Sequence, residues 1–274
     1  MQSPETAAPL ILVNGELLSG NMPVLRSDDG AFTFGQGLFE TMAVYRGRVF
    51  ALEAHLQRLS QGAQRLELNL PSKDSIRGQI ATLVEANQLG SIDKARLRIT
   101  ITPTSTVLTS STKIGHAEAA RTITVPFARN EKSALSGMKT INYGENVVAQ
   151  RLATEANCDE AIFPNNRDEL CEGAWSNIFV LLDGNWLTPG LDSGCLPGVT
   201  RSILLEMKED SLPSIAESTI PIKDLERVDS AFLTSSIREV QPVASIDGRA
   251  LRGVSCPVTR AFQEAYRNYA ATGG

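Results

Sequence analysis

The stretch GMKTINYGENVVAQRLATEANCDEAIFP, residues 137–164, changes from an extended lead-in to the 3.6-residue period of a helix. Lys139 lies where this change begins. A lysine at such a boundary is in most proteins a solvated surface residue. It becomes a nucleophile for carbonyl groups where desolvation or a nearby cation keeps part of the amine unprotonated. The local sequence leaves both interpretations open.

A glutamate-glycine pair opens the next informative segment, CEGAWSNIFV at residues 171–180. Glu172 precedes an apolar strand that runs to the turn at residues 183–184. It is either a turn carboxylate at the start of that strand or a buried partner for a protonated ring nitrogen. The second role needs a carboxylate because a negative charge beside a pyridinium keeps the proton that makes the ring an electron sink. The two interpretations predict different burial.

Two further segments offer neutral donors for an anion. LPGVTR, residues 196–201, leads into a predicted helix, whose first backbone N–H groups have no partner within the helix. Val199 and Thr200 therefore fit an anion site, although the pattern is also typical of an ordinary helix entry. Further hydroxyl groups, which could equally form only a polar turn, are those of Thr234, Ser235 and Ser236.

A phosphate bound by this chain would need a local cation. The formal net charge is -5 at pH 7, so no basic surface is expected to attract nucleic acid or an anionic membrane. Arg58 lies in the helix-patterned run HLQRL, residues 55–59, where an arginine is ordinarily solvated. It is the candidate counter-charge for an anionic ligand.

Composition is that of a folded enzyme, with 42% hydrophobic and 21% charged residues. The four cysteines have no CxxC spacing and the chain has two histidines, which argues against a disulfide framework, a metal site and a Ser-His-Asp triad. No charged leader precedes the apolar run at residues 9–13, and no segment approaches the length of a bilayer span. These features predict a cytoplasmic protein without membrane attachment.

The length of 274 residues favours two domains, with one large mixed domain as the alternative. Strand-like and helix-like segments alternate from about residue 10 to 102, which indicates an α+β fold. A small N-terminal α/β domain is expected over residues 1–118, a linker with an entry strand over 119–136, and a larger domain over 137–274. The Ser/Thr-rich stretch 109–120 is interpreted as a surface loop. Periodicity predicts a strand over 95–102 and helices over 52–66, 72–86, about 200–209 and about 258–269.

The motifs follow one another in a defined order along the chain. A segment containing Asp29, Gly30, Phe34, Gly35, Gly37, Phe39 and Glu40 is followed by HLQRL, KTINY, EGAWSN, LPGVTR and TSSIREVQPVASIDG. This succession resembles the class IV (fold type IV) aminotransferase family, which includes branched-chain and D-amino acid aminotransferases and aminodeoxychorismate lyases. The resemblance implies a homodimeric enzyme dependent on pyridoxal 5′-phosphate (PLP), with a larger C-terminal domain built around a pseudo-barrel.

The resemblance also implies a role for each matching position. Lys139 is the residue that forms an aldimine with PLP and shuttles the proton, and Glu172 faces the pyridine nitrogen. Asn142 and Tyr143 lie beside the cofactor. The implied phosphate-binding positions are Arg58, Val199, Thr200, Ser235 and Ser236, and the implied substrate-pocket positions are Phe34, Phe39, Thr41 and Arg98.

Two departures from the family pattern remove cations. Many relatives read Asp-Arg-Gly where this chain has Asp28-Asp29-Gly30, and Arg-Gly where Pro103 follows Thr102. The missing arginines put recognition of dicarboxylates and of ordinary 2-oxo acids in question. A third feature is Thr41, which stands where the lyases commonly carry a threonine.

The implied reaction is ping-pong transamination between an amino acid or amine and a 2-oxo acid. The alternative is an aminodeoxychorismate lyase that releases pyruvate and 4-aminobenzoate. A non-catalytic binding protein of the same fold is disfavoured, because Lys139 and Glu172 are both present in their expected contexts. The expected partners are these small molecules and a second copy of the chain.

Overall fold

The chain forms two compact units, each with its own sheet. The computed structural model describes residues 8–209 and 211–272, so the expectation about a leader, which concerns residues 1–7, lies outside the described residues. The first unit comprises the described residues of Met1–Ile114 together with Lys139–Asn142. The second comprises those of Gly115–Met138 and Tyr143–Gly274. The segment around Lys139 thus groups with the N-terminal unit, whereas the sequence analysis drew a boundary before residue 137.

The first unit is an antiparallel sheet covered by helices. Its strand order is β2-β1-β6-β5-β3-β4. The strands are β1 (Leu10–Val13), β2 (Glu16–Ser19), β3 (Leu38–Tyr45), β4 (Arg48–Val49), β5 (Ala95–Ile101) and β6 (Thr106–Ser111). The helices are α1 (Gly30–Phe34), α2 (Leu52–Arg65) and α3 (Lys73–Ala86), with a 3-10 turn at Leu89–Ser91.

One face of α2 packs on the sheet. Its buried residues, His55, Leu56, Leu59, Gly62 and Ala63, follow the spacing of a helical stripe. Leucines of this stripe share a core with alternate residues of β3, because successive strand residues point to opposite faces of a sheet. The face of β3 that packs on α2 is therefore opposite to the face that carries Phe39 and Thr41.

The strand β6 differs from the sequence-based expectation. It lies between β1 and β5 and pairs with both. Val107 and Leu108 are buried there, and threonine is common in strands. The interpretation of 109–120 as a surface loop was therefore wrong for residues 109–111, because long-range pairing outweighs the local polar composition.

The second unit contains a mixed nine-stranded sheet in the order β12-β11-β10-β13-β14-β7-β8-β9, with β15 paired to β14. Its two ends meet, since the N–H of Leu170 on β9 donates to the carbonyl of Ile220 at 2.7 Å and Glu169 forms a bridge with Pro221. The sheet is thus curled into a barrel-like form. The strands are β7 (Ala120–Thr124), β8 (Glu160–Pro164), β9 (Leu170–Gly173), β10 (Asn177–Leu182), β11 (Asn185–Pro189), β12 (Ile215–Ser218), β13 (Ser230–Ser235), β14 (Glu239–Ile246) and β15 (Arg249–Ala250).

Three helices belong to the second unit: α4 (Gly144–Glu155), α5 (Val199–Glu206) and α6 (Pro257–Thr272). The prediction of a helix near residues 200–209 is confirmed in position, but α5 ends earlier. Three 3-10 segments lie at Leu191–Ser193, Ile222–Arg227 and Gly253–Ser255. In the part of the chain that the structure describes, no helix has the length and apolar character needed to cross a bilayer.

Candidate active site

Backbone pairing holds Lys139 against the start of β3. The N–H of Phe39 donates to the carbonyl of Lys139 at 2.9 Å, and the N–H of Ile141 donates to the carbonyl of Gly37 at 3.0 Å. Leu38 and Thr140 form the antiparallel bridge between these two bonds. The sequence suggested a flexible approach to a helix at this point. In the structure this approach is held by an isolated β-bridge, and α4 starts only at Gly144.

The ring of Phe39 lies beside two basic side chains. Lys139 Nζ is 4.3 Å from the ring centroid, and Arg98 Cζ is 3.7 Å from it. Both distances are within the range of cation–π attraction. Thr41 is on the same face of β3 as Phe39 and is paired in register with Arg98. The structure thus brings Lys139 together with three of the residues predicted for the substrate pocket.

Glu40 lies on the opposite face of β3 and is 1% exposed. Arg58 donates to both carboxylate oxygens, from Nε at 2.7 Å and from Nη2 at 2.6 Å. Burial alone would raise the pKa of Glu40, but the charge and hydrogen bonds of Arg58, with those of His55, lower that pKa to about 2. Glu40 is therefore ionised, and Arg58 is held in a two-pronged ion pair.

His55 completes this buried group. Its Nδ1 is 2.7 Å from Oε2 of Glu40. Burial lowers the pKa of His55 and outweighs the opposing effect of the Glu40 carboxylate, so the ring is neutral near pH 7. Since the carboxylate can only accept, Nδ1 carries the hydrogen. The sequence analysis did not predict a role for His55.

Asn142 and Phe34 have different surroundings from those of Lys139. Asn142 Nδ2 donates to the carbonyl of Gly35, the residue that ends α1, at 2.9 Å. Phe34 is 82% exposed, so its ring is not part of the packed group around Phe39. The predicted pocket position at Phe34 therefore has no support from packing within the described residues of this unit.

The two positions where arginines are missing lie together in the fold. Asp29 is fully buried and accepts from the N–H of Ala31 and from the hydroxyls of Thr102 and Thr104. Burial would raise the pKa of Asp29, but these bonds, led by the one from Thr104, keep it below its usual value. The carboxylate is satisfied by hydroxyls from the β5–β6 turn. Where the family pattern has arginines, this chain thus has a buried carboxylate at Asp29 and a proline at Pro103.

In the second unit, Glu172 lies on β9 with its side chain 12% exposed. Its Oε1 is 3.2 Å from Nε of Arg129, and its Oε2 accepts the N–H of Leu196 at 2.8 Å. The carboxylate is thus paired with a cation and with a backbone donor. This placement agrees with the buried interpretation of Glu172 rather than with a solvated turn residue.

Arg129 was missed by sequence analysis. Its guanidinium also contacts Glu145 at 3.0 Å and lies 4.1 Å from the ring centroid of Phe163. The surrounding sequence, ARNEK at residues 128–132, reads as a polar surface segment and contains no signal for this contact. Only the fold brings Arg129 to Glu172.

The start of α5 is held beside the end of β13. Asn177 donates from Nδ2 to the carbonyl of Leu196 at 2.8 Å and is paired in register with Thr234. Gly198 is needed at the N-cap of α5, because a Cβ there would lie 2.0 Å from Asn177 Oδ1. The two predicted phosphate-binding segments are thus neighbours, linked through Asn177 on β10.

This donor set fits a phosphate group. Within the described residues, α5 begins without a side-chain cap, so the N–H groups of its first turn are not satisfied in that way. Thr200 is buried with its hydroxyl 3.3 Å from that of Tyr266, and Thr234 Oγ1 is buried without a hydrogen-bond partner among those residues. Uncapped helix N–H groups beside hydroxyls are the usual neutral donors of a phosphate site.

The Ser235 side chain is engaged with its own turn. Ser235 Oγ accepts the N–H of Arg238 at 3.1 Å, and Ser236 follows on the same turn. Tyr143, just before α4, stacks on Trp175 with 5.5 Å between ring centroids. These predicted cofactor positions all belong to the second unit together with Glu172.

Comparison with known proteins gives a consistent family. A family model described as amino-transferase class IV matches residues 37–246. A D-alanine aminotransferase from Listeria innocua is 27% identical over 269 residues, covering 91% of this chain and 92% of the relative. The branched-chain-amino-acid aminotransferase-like protein 2 of Arabidopsis thaliana is 29% identical over 286 residues, covering 96% of this chain. This chain spans about half, 51%, of the Arabidopsis protein.

Solved structures show the same fold. The apo form of a hypothetical aminotransferase from Mycobacterium tuberculosis matches with a TM-score of 0.87 at 24% identity, over 97% of this chain and all of the other. A fold IV-transaminase from Curtobacterium pusillum matches with a TM-score of 0.83 at 25% identity, over 95% of this chain and 98% of the other.

The fold and the family match define a fold type IV enzyme that depends on PLP. The Mycobacterium tuberculosis protein was also solved in a PLP-bound form. The chain belongs to the class IV aminotransferase family, since the matched region spans most of its length.

Proposed function

We propose that the chain transfers an amino group between an amino acid or amine and a 2-oxo acid, with Lys139 as the residue that binds PLP. The placement of Lys139 carries this proposal. Its backbone is paired with the start of β3, and its Nζ lies 4.3 Å from the centroid of the Phe39 ring. A solvated surface lysine would need neither restraint.

When bound, PLP supplies a cationic ring that accepts the electrons left behind when a proton leaves the donor's Cα. Lys139 Nζ would hold PLP through its aldehyde carbon and would move the proton at the donor's Cα. Arg98 and Lys139 Nζ both lie on the ring of Phe39, so Arg98 is the nearby cation proposed to act on the amine. A nearby cation of this kind is a common partner of a nucleophilic lysine.

Glu172 is proposed to keep the proton on the ring nitrogen. Arg129 and the N–H of Leu196 keep its carboxylate fixed in direction, as partners of a functional group are expected to do. Asn142 and Tyr143 are proposed to lie beside the cofactor. Arg58 supplies the cation for the phosphate, and the neutral donors are those of Val199, Thr200, Ser235 and Ser236.

The proposed substrate pocket contains Phe39, Thr41 and Arg98, with Phe34 as a further expected member. The Asp29 carboxylate is already satisfied by threonine hydroxyls, so the positive charge of this pocket is that of Arg98. Thr41, which is paired with Arg98, is the observation that favours the lyase reaction as a second candidate.

A panel of amino donors tests the proposed reaction. D-alanine, branched-chain L-amino acids and (R)-amines are each combined with pyruvate or 2-oxoglutarate, and aminodeoxychorismate is assayed without an added 2-oxo acid. Transamination predicts turnover that needs both substrates, with parallel lines in double-reciprocal plots. Release of 4-aminobenzoate without a 2-oxo acid would instead establish the lyase. Turnover of none of these substrates by the PLP-loaded protein would contradict both.

The assembly and location are part of the same proposal. The family resemblance implies a homodimer, and the composition is that of a cytoplasmic enzyme. Light scattering of the purified protein at several concentrations should give twice the chain mass. A mass equal to one chain at all concentrations would contradict the dimer.

A further inference from the structure

A buried ion pair in the second unit has no role in the reaction as proposed above. Glu160, the first residue of β8, is fully buried, and Arg238 donates to its Oε2 with only 7% of the arginine side chain exposed. Burial outweighs Arg238 and raises the pKa of Glu160. A buried pair of this kind is costly to desolvate and is weak support for stability in itself. Its position therefore calls for another explanation.

Glu160 holds the loop that follows Glu172. Its Oε1 accepts the N–H of Trp175 at 2.6 Å and the hydroxyl of Ser176 at 2.9 Å. Gly173 makes this approach possible, because a Cβ at that position would lie 2.8 Å from the same oxygen. The carboxylate thus fixes the backbone immediately after Glu172.

Arg238 holds the turn that carries Ser235 and Ser236. Its backbone N–H donates to Ser235 Oγ at 3.1 Å, and its guanidinium also donates to Gln241 on β14. With the bond to Glu160, one side chain ties this turn to both β14 and β8. The sequence separation of 78 residues between Arg238 and Glu160 shows that the link is made only by the fold.

We infer that Glu160 and Arg238 are positioning residues, which brace the loop after Glu172 and the Ser235–Ser236 turn so that the groups binding the ring and the phosphate of PLP keep a fixed geometry. This inference rests on the proposed function. Arg238 acts on the phosphate-binding turn, whereas Glu160 acts on both segments. Replacing Arg238 and replacing Glu160 should therefore change the binding of PLP and pyridoxal in different ways.

The test compares binding of PLP with binding of pyridoxal, which lacks the phosphate, to the full chain freed of cofactor. Arg238→Met should weaken PLP binding by about 10- to 30-fold, because two hydroxyl donors lose their fixed positions. Pyridoxal binding should change less than about twofold in this variant, since the turn contacts only the phosphate. Glu160→Ala should weaken both ligands by about tenfold, because the loop after Glu172 loses its acceptor.

Conservative variants and a matched control separate positioning from stability. Arg238→Lys keeps the charge and Glu160→Gln keeps the shape, so each should lose less ligand affinity than Arg238→Met or Glu160→Ala. These conservative variants carry the test if the larger changes unfold the chain. Arg267→Gln removes the exposed ion pair of the neighbouring Glu239 and should leave both affinities unchanged. Urea unfolding of each variant is recorded beside the titrations.

Each outcome decides one claim. A ratio of PLP to pyridoxal affinity that falls about tenfold in Arg238→Met supports the brace. Equal losses for both ligands in Arg238→Met, or no loss, overturn it while leaving the proposed function standing. If the parent chain binds neither ligand, the proposed function fails and the brace fails with it.

Discussion

The guanidinium of Arg58 lies against the buried carboxylate of Glu40, with Nε 2.7 Å from Oε1 and Nη2 2.6 Å from Oε2. Glu40, a residue of β3, therefore takes two of the N–H donors of Arg58 and fixes the direction of its guanidinium. The pair joins the helix α2 to the strand that carries Phe39, and the proposed phosphate-binding cation has a fixed direction. Any change at Arg58 must consequently affect stability as well as PLP binding.

Arg58→Ala should weaken PLP binding by roughly 10- to 100-fold, because a charge-assisted bond to phosphate is lost. It should also lower the free energy of unfolding of the cofactor-free chain by about 3 kcal/mol or more, since Glu40 is left as an unpaired buried charge. Titration with PLP and urea unfolding measure the two effects. Arg77→Ala, at an exposed ion pair on α3, is the control and should change neither. Unaltered PLP affinity in Arg58→Ala would mean that Arg58 only pairs with Glu40.

The low pKa of Glu40 predicts a loss of stability in acid. The folded pKa is about 2 and the usual value is 4.5, so the unfolded chain binds the proton first as the pH falls. The contribution of the ionised Glu40 to the free energy of unfolding is complete above about pH 4.5 and is lost as the pH falls towards 2. The shift corresponds to about 3 kcal/mol. The free energy of unfolding of Glu40→Gln should therefore depend less on pH than that of the parent between these values, and identical slopes would refute the assignment.

Thr200→Val should weaken PLP binding less than Arg58→Ala does. The change removes one neutral donor, worth about 1 kcal/mol or about fivefold, while the backbone N–H groups of α5 remain. Thr154→Val on α4, where the hydroxyl donates to the carbonyl of Gln150 at an exposed position, is the matched control. A larger effect for Thr200→Val than for Arg58→Ala would reverse the proposed order of the phosphate contacts.

Glu172→Gln should keep the fold and lower the rate on the order of 100-fold or more, because a neutral amide cannot hold the proton on the ring nitrogen. The amide oxygen can still accept the N–H of Leu196, so stability should change little. Glu145→Gln provides a control, since Glu145 contacts the same Arg129 from an exposed position. Its rate should stay near that of the parent. Equal rates in the parent, Glu172→Gln and Glu145→Gln would show that Glu172 is a turn residue without a role in the reaction.

The motifs allowed Lys139, Glu172 and the start of α5 to be predicted because each lies within a short recognisable segment. The side chains that hold the site in place come from far away in sequence. Arg129 contacts Glu172, and Glu160 contacts Arg238 beside the Ser235–Ser236 turn. Local sequence cannot predict these partners, because an arginine in a polar segment reads as solvated whether or not the fold buries it. Family knowledge supplied the candidates, and the structure supplied their partners.

Secondary structure was predictable where periodicity is strong and less so elsewhere. The helix stripe of α2 and the alternation of β5 are visible in the sequence and confirmed in the structure. The strand β6 was partly read as a loop, because its threonines and serines are polar and its pairing with β1 is non-local. The extended lead-in at Lys139 was predicted, but its bridge to β3 is also non-local and was not.

The identity of the cofactor-bearing lysine is the central claim, and one measurement tests it most directly. The purified holoenzyme is treated with borohydride, digested, and mapped by mass spectrometry. We expect a yellow protein that loses its colour on reduction, and one peptide with the reduced PLP adduct on Lys139. Lys139→Ala should give no turnover and no such adduct while still retaining some PLP through the phosphate contacts. An adduct on a different lysine of the parent chain would contradict the account.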